Sequence, residues 1–280
     1  MKERALRIGR PTPLIGVLSE PDNFDPDKPM VLILNSGIMH HIGTCRLSVK
    51  IARSLAKEGL ASVRFDYSSI GDSAPRRGAE AFEESAPREA AEVMDYLTSK
   101  RGVKKFILYG LCSGADAAYT TALVDDRVIA IGQIDAYCYK TPRFYLKHYL
   151  PRFLSFSVWQ RFFKRKLAAL VSGVKKSDIE EMGEFFEMAS YVREFPSSEE
   201  IAAGLKKLCD RNVAMKVIFT GGESAYNYRE QYRDSFKRKV EFRDLLEVEY
   251  YPACGHIITQ PPYQKIVVEE LTQWMLKQAA

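Results

Sequence analysis

The chain has 280 residues, of which 46% are hydrophobic and 28% are charged, a composition typical of a folded protein that buries a core without cross-links. It has no run of about 18 apolar residues, so we expect no membrane-spanning helix. The N-terminal residues MKERALRIGRP contain no apolar stretch, so we expect no signal peptide. Five scattered cysteines without CxxC spacing argue against a zinc site or a disulfide framework; we expect free thiols, a cytoplasmic location and no metal or cofactor.

The formal net charge of +5 is unevenly distributed. Residues 136–177 contain ten Lys or Arg and no Asp or Glu, whereas the rest of the chain has 31 basic and 36 acidic residues. The basic character therefore belongs to one segment, which bears on the choice of partners.

Short apolar runs alternate with amphipathic stretches along most of the chain. The runs predict strands at 14–18, 30–34, 61–67, 104–110, 127–134, 214–222 and 246–253. The stretches at helical spacing predict helices at 44–58, 80–100, 114–124, 225–238 and 262–278. Alternation of this kind, with strands that are apolar throughout, is typical of an α/β protein whose mostly parallel sheet is covered by helices on both faces.

The alternation breaks once, between residues 136 and 210, where helical patterns dominate. We predict a core formed by residues 1–135 and 211–280, with 136–210 inserted as a helical lid. Such a lid would lie above the carboxyl edge of the sheet, where ligands bind in open α/β folds.

The stretch LYGLCSGADAA, residues 108–118, predicts a sharp turn between a strand and a helix. A turn that displays a catalytic nucleophile needs small residues two positions before and two positions after it. Counting from Cys112 gives Gly110 and Gly114, whereas counting from Ser113 meets the requirement on one side only. The spacing favours Cys112 as the nucleophile, although a glycine-rich turn around an inert cysteine has the same pattern.

A nucleophile of this kind needs a base and an acid, which follow it in chain order in this architecture. Among the four histidines, His256 lies in the loop between the last predicted strand and the last helix, where the base is expected. Chain order favours Glu223, at the end of strand 214–222, as the acid that orients the imidazole. Asp135, at the end of strand 127–134, is the alternative acid.

The oxyanion of an acyl-transfer reaction is bound by backbone N–H groups. We expect one from Ser113, directly after the nucleophile, and one from Ile38 in the loop NSGIMHHIG that follows an earlier strand. His40 and His41 in the same loop are interpreted as structural or pocket-lining, and Asp72 as a residue that fixes its own loop.

Five stretches together carry a family resemblance: ILNSGIMHHIG, VRFDYSSIGDS, LYGLCSGADAA, VIFTGGE and YPACGHI. In this order they resemble the α/β-hydrolase superfamily over nearly the whole chain. The run FYLKHYLPRFLSFSVWQRFFKRKLAALVSG and the GLC of the turn look most like the exosortase A system-associated hydrolases, which are related to the serine-aminopeptidase-like branch. The resemblance implies the α/β-hydrolase fold, a lid after its sixth strand, and a triad of Cys112, Glu223 and His256. It implies no substrate, and Glu223 stands where many hydrolases have Asp.

The basic segment also carries ten aromatic residues between positions 137 and 171. One interpretation is a helix that packs its aromatic face on the core. A second is a lid that buries an acyl chain and attracts an anionic acyl carrier protein or coenzyme A thioester. A third is a peripheral contact with anionic membrane. Nucleic-acid binding is not expected. The candidate partner-binding residues are Arg152, Arg161, Lys164, Arg165 and Lys166.

These features predict an enzyme that acts on a small-molecule acyl ester or thioester through a covalent acyl-cysteine, as a thioesterase, an esterase or an acyltransferase. The alternative is a non-catalytic binding module of the same fold, because a fold does not by itself imply an activity. In that case Cys112 would be a degenerate nucleophile and the lid a docking surface for an anionic partner or membrane.

Overall fold

The computed structural model describes residues 1–76, 81–154 and 195–280, and for 151–154 it describes the backbone. Its centre is one sheet of eight strands in the spatial order β1-β2-β4-β3-β5-β6-β7-β8. The pairs β1–β2 and β2–β4 are antiparallel, and all other neighbours are parallel. The strands are β1 (Lys2–Ile8), β2 (Leu14–Glu20), β3 (Met30–Ile33), β4 (Ser62–Phe65), β5 (Phe106–Leu111), β6 (Val128–Ile134), β7 (Ala214–Thr220) and β8 (Leu246–Tyr251).

Each of the seven apolar runs overlaps one strand, and the central strands β3, β4 and β5 are buried at every position. In β5, Phe106 and Leu108 point into one core cluster while Ile107 and Tyr109 point into the other. Strand β1 was not predicted. Its sequence KERALRI is polar and mostly exposed, since it forms the edge of the sheet and pairs with β2 alone.

Helices cover the two faces of the sheet. The first core cluster takes residues from the helices at 82–101, 113–124 and 198–210, such as Met94, Ala118 and Leu205. The second takes Leu55 and Leu271 from the helices at 47–57 and 261–278. The predicted mostly parallel sheet with helices on both faces is confirmed. The described helices are α1 (Leu47–Lys57), α2 (Phe82–Arg101), α3 (Ser113–Val124), α4 (Pro142–Leu154), α5 (Ser198–Asp210), α6 (Gln231–Phe236) and α7 (Pro261–Gln278).

The predicted break in alternation over residues 136–210 stays a prediction, and within the described residues β6 is followed by α4. Helix α5 starts with a capping box, in which Ser197 Oγ accepts from Glu200 N–H at 3.2 Å and Glu200 Oε2 accepts from Ser197 N–H at 2.8 Å. Its apolar side chains pack in the first core cluster although the predicted lid extends to residue 210. The extent of the lid stays a prediction, because residues 155–194 lie outside the described ranges.

The five candidate partner-binding residues fall in this region. Arg161, Lys164, Arg165 and Lys166 lie outside the described residues, as does the side chain of Arg152 on α4. Within the described part of the chain, no helix is both long enough and apolar enough to cross a membrane.

Candidate active site

Cys112 lies in the sharp turn between β5 and α3. Its backbone has φ 55° and ψ −121°, a conformation that residues with a side chain rarely adopt. The flanking glycines are required for space: a Cβ on Gly110 would overlap the backbone of Gly114, and a Cβ on Gly114 would overlap the carbonyl group of Asn35. The glycine spacing that singled out Cys112 in the sequence therefore has a steric cause.

The turn is tied to the sheet and to the helix that follows it. Cys112 N–H donates to the carbonyl of Ile134 at 2.9 Å, which continues the pairing of β5 with β6. The Cys112 carbonyl accepts from the N–H groups of Ala115 and Asp116, at 2.8 and 3.1 Å, and so begins α3. These bonds fix the backbone of Cys112, while its thiol remains partly exposed at the carboxyl edge of the sheet.

His256, in the loop after β8, is hydrogen-bonded to Asp135 at the end of β6. The distance from His256 Nδ1 to Asp135 Oδ2 is 2.6 Å. Asp135 is fully buried, and Thr220 on the neighbouring strand β7 holds both of its oxygens: Thr220 N–H donates to Oδ1 at 2.7 Å and Thr220 Oγ1 donates to Oδ2 at 2.8 Å. The carboxylate is thus oriented towards the histidine before any substrate binds.

Glu223, expected to be the acid, makes no hydrogen bond to the histidine in the described part of the chain. Its Oε1 accepts the N–H of Ala225 at 2.9 Å and so stabilises its own turn. The loops themselves are close, since a Cβ on Gly222 would overlap the backbone of His256. The expectation is corrected: the partner of His256 is the alternative acid, Asp135.

The same histidine interacts with the thiol of Cys112. Hydrogen bonds first to Asp135 and then to Cys112 raise the pKa of His256 to about 10, against the opposing effect of its partial burial. The ring is therefore protonated at neutral pH. The structure brings Asp135, His256 and Cys112 together: Asp135 is hydrogen-bonded to His256, and Cys112 is close enough to raise the pKa of the same ring.

The loop after β3 lies against the turn of Cys112, as the expected oxyanion site requires. Gly37 N–H donates to Ser113 Oγ at 2.6 Å, one residue before Ile38. The side chain of Ile38 is 93% exposed, whereas Ser113 is buried. The two expected N–H donors, those of Ser113 and Ile38, thus belong to segments that are in direct contact.

Asp66, which the sequence analysis did not single out, anchors the other end of this loop. Its Oδ1 accepts from His41 N–H at 2.6 Å and from Asn35 Nδ2 at 2.9 Å, and its Oδ2 is 2.7 Å from His41 Nδ1 and accepts Asp72 N–H at 3.0 Å. Burial alone would raise the pKa of Asp66, but these hydrogen bonds hold it below its ordinary value. A buried aspartate at the end of a strand was the available signal.

His40, His41, Asp66 and Asp72 offer metal-ligand atoms within 4.8 Å of one another. Hydrogen bonds from N–H groups occupy both oxygens of Asp66, so the cluster is explained as a brace of the loop. Its arrangement fits the structural interpretation of His40 and His41.

Comparisons with protein-family models and with curated proteins found no match. Solved structures with a similar backbone were found. Est1E from Butyrivibrio proteoclasticus has a TM-score of 0.60 at 15% sequence identity, with 98% of each chain covered. Alpha/beta hydrolase domain-containing protein 10 from mouse has a TM-score of 0.56 at 14% identity, covering 99% of this chain and 100% of that one. A cold-adapted esterase from an Arctic intertidal metagenomic library has a TM-score of 0.53 at 12% identity, covering 97% and 92%. At these identities the likeness shows the fold.

Proposed function

The chain has the α/β-hydrolase fold, and on that premise we propose that it is an acyl-transfer enzyme working through a covalent thioester on Cys112. The observation that carries the proposal is the meeting of three side chains: Asp135 is hydrogen-bonded to His256, and Cys112, on a strained turn, is close enough to raise the pKa of that histidine. In this proposal Cys112 is the nucleophile, His256 the acid and base, and Asp135 the residue that orients the histidine.

In the first half-reaction Cys112, whose proton is held by His256, attacks the carbonyl carbon of an ester or thioester as a thiolate. A C–S bond forms, and the electron pair of the carbonyl double bond moves to its oxygen, whose charge is stabilised by the N–H groups of Ser113 and Ile38. The intermediate then collapses: the bond to the leaving group breaks, and the leaving alcohol or thiol takes the proton of His256 Nε2. The raised pKa of His256 suits this step, because the ring holds that proton at neutral pH.

In the second half-reaction the neutral His256 removes a proton from an acceptor, which attacks the acyl-cysteine. The C–S bond breaks, Cys112 leaves as thiolate, and His256 is protonated again. Water as acceptor gives hydrolysis, and an alcohol, amine or thiol gives transfer. A thioester intermediate reacts more readily with amines and thiols than an oxygen ester does, so both outcomes fit the site.

Two exposed isoleucines in the loops of the site support an apolar acyl group. Ile38 follows Gly37, which is hydrogen-bonded to Ser113, and is 93% exposed, and Ile257 directly follows His256 and is 47% exposed. Exposed apolar side chains in these loops are suited to cover a hydrocarbon chain. The fold shared with an esterase makes ester hydrolysis the first reaction to test.

An anionic acyl carrier protein, coenzyme A or a membrane surface remains a proposed partner. It is supported by the ten basic and no acidic residues of the segment 136–177.

Intact-protein mass spectrometry after exposure to an activated acyl ester tests the proposal. We expect one acyl group on the wild type, located on Cys112 by peptide mapping, none on Cys112→Ala, and slower labelling of His256→Ala. Labelling of Ser113 instead would contradict the acyl-cysteine, and no labelling of a folded wild type would contradict it and favour the binding module.

A further inference from the structure

We propose that the side chain of Ser113 is a positioning residue: its hydroxyl holds the tip of the loop after β3, so that the N–H of Ile38 is kept in place for the oxyanion. The proposal rests on the proposed acyl transfer at Cys112. It assigns to the neighbour of the nucleophile a task for its side chain in addition to that of its backbone.

The contact itself is short, and its acceptor is sheltered from water. Gly37 N–H donates to Ser113 Oγ at 2.6 Å, and Ser113 is only 3% exposed, whereas Gly37 is exposed. A hydrogen bond to a buried acceptor is stronger than the same bond in open water, because water competes for that acceptor less.

Packing does little to hold this tip. A Cβ built on Gly37 would meet no atom within 4 Å, and the side chain of Ile38 is almost fully exposed. The loop turns here, with Met39 N–H donating to the carbonyl of Ser36 at 3.0 Å. Gly37 has φ 53°, a left-handed conformation that glycine adopts without strain. Apart from the turn bond, the tip therefore has few contacts of its own to hold the Ile38 N–H in place.

The rest of the loop is firmly held, which concentrates any freedom at the tip. Asn35 Nδ2 donates to the carbonyl of Met39 at 2.7 Å, and Asp66 binds both Asn35 and His41. Among the hydrogen bonds of the described residues, the bond to Ser113 is the one that ties Gly37 to the turn of Cys112. Its loss would loosen the tip without unfolding the loop.

Two reactions of the same thiol separate this role from a purely structural one. Acylation by an ester builds negative charge on the carbonyl oxygen and needs the oxyanion donors. Alkylation by iodoacetamide forms a C–S bond while iodide leaves, and no oxyanion develops. A loop that positions an oxyanion donor therefore matters for acylation and not for alkylation.

The experiment compares the wild type with Ser113→Ala and with a matched control, Ser36→Ala, which removes a hydroxyl from the same loop. Acylation is followed by release of p-nitrophenolate from a p-nitrophenyl ester, and alkylation by mass spectrometry with iodoacetamide. Removing one oxyanion donor costs about 10²–10³ in rate, and a loosened donor costs less. We expect acylation of Ser113→Ala to fall about 10–100-fold with alkylation changed less than about twofold. Ser36→Ala should change neither rate.

Acylation of Ser113→Ala that is unchanged or faster would overturn the positioning role, and so would a parallel fall of both rates, which is the sign of a disturbed turn. If the wild type is alkylated but not acylated, the proposed function fails and this role falls with it. Equal acylation of wild type and Ser113→Ala overturns the positioning role alone.

Discussion

Asp135 and Thr220 are joined by two hydrogen bonds across neighbouring strands, 2.7 Å from Thr220 N–H to Oδ1 and 2.8 Å from Thr220 Oγ1 to Oδ2. Because β6 and β7 are parallel and in register, their carboxyl ends meet at one point of the sheet edge. The carboxylate that is hydrogen-bonded to His256 therefore comes from the end of one strand and is oriented by the next strand, not by the loop that carries Glu223.

Replacing the acid should reduce turnover far more than it disturbs the fold. Asp135→Asn keeps the shape of the side chain but no longer favours the histidine tautomer and charge that the reaction needs. We expect kcat for ester turnover to fall about 10²–10⁴-fold. Glu223→Gln, the matched control on the neighbouring loop, should stay within about twofold of the wild type. A large loss in Glu223→Gln with an active Asp135→Asn would restore Glu223 as the acid.

The ionisation of His256 should depend on the same carboxylate. The hydrogen bond to Asp135 is the largest cause of the raised pKa, so Asp135→Asn should move the pKa of His256 from about 10 towards its ordinary 6.5. An NMR titration of the imidazole carbon shifts measures both values. A pKa of His256 that stays near 10 in the variant would show that Cys112, and not Asp135, sets it.

The raised pKa of His256 also makes a prediction about stability. The folded state binds this proton more tightly than the unfolded state, so the stabilisation is fully present below about pH 6.5 and is lost as the pH rises through about 10. The wild type should therefore lose its advantage over His256→Gln in free energy of unfolding between pH 7 and 10. Urea unfolding of the pair across this range measures the difference, which a constant offset would contradict.

The glycines of the turn should be intolerant of a methyl group. Gly110→Ala would push its Cβ into the backbone of Gly114. We expect the free energy of unfolding to fall by about 1–3 kcal/mol and the reactivity of Cys112 to be lost. Gly132→Ala is the control, since a Cβ on β6 meets side chains at ordinary distances of 3.4–3.5 Å. Thermal unfolding and thiol alkylation report the two effects. Equal behaviour of both variants would remove the steric account of the turn.

Charge reversal in the basic segment tests the proposed partners. Lys164, Arg165 and Lys166 changed to Glu should weaken association with an acyl carrier protein and reduce its dependence on salt. The control reverses Lys104 and Lys105, which are exposed at the opposite edge of the sheet, before β5. Binding of anionic phospholipid vesicles, measured by sedimentation on the same variants, distinguishes a membrane from a carrier. If charge reversal leaves the association with the carrier protein or with the vesicles unchanged, that result would contradict an electrostatic contact.

The central strands could be predicted from the sequence because a strand buried on both faces is apolar along its length, as FILYGL of β5 is. It missed β1, whose edge position allows polar residues on its exposed side. The turn at Cys112 could be predicted because its steric requirement concerns residues close in the chain, namely Gly110 and Gly114.

Which carboxylate binds His256 could not be predicted from the sequence in the same way. Asp135 and Glu223 both follow strands at the same edge of the sheet, and chain order does not say which carboxylate points at His256. That depends on the hydrogen bonds of Thr220 and on the turn that captures Glu223, and both are tertiary features. The buried anchor Asp66 escaped notice for the same reason, since its partners lie on segments far apart in the chain.

The backbone of Cys112 has a consequence for how this position would change over generations. Its φ and ψ angles suit glycine, and a residue with a side chain held there costs about 1–3 kcal/mol, a considerable part of the roughly 5–15 kcal/mol that keeps a domain folded. Mutation to glycine would relieve that strain at once. A protein that does not need the thiol could thus become more stable by a single mutation to glycine. Selection for stability alone would not keep a cysteine at this position.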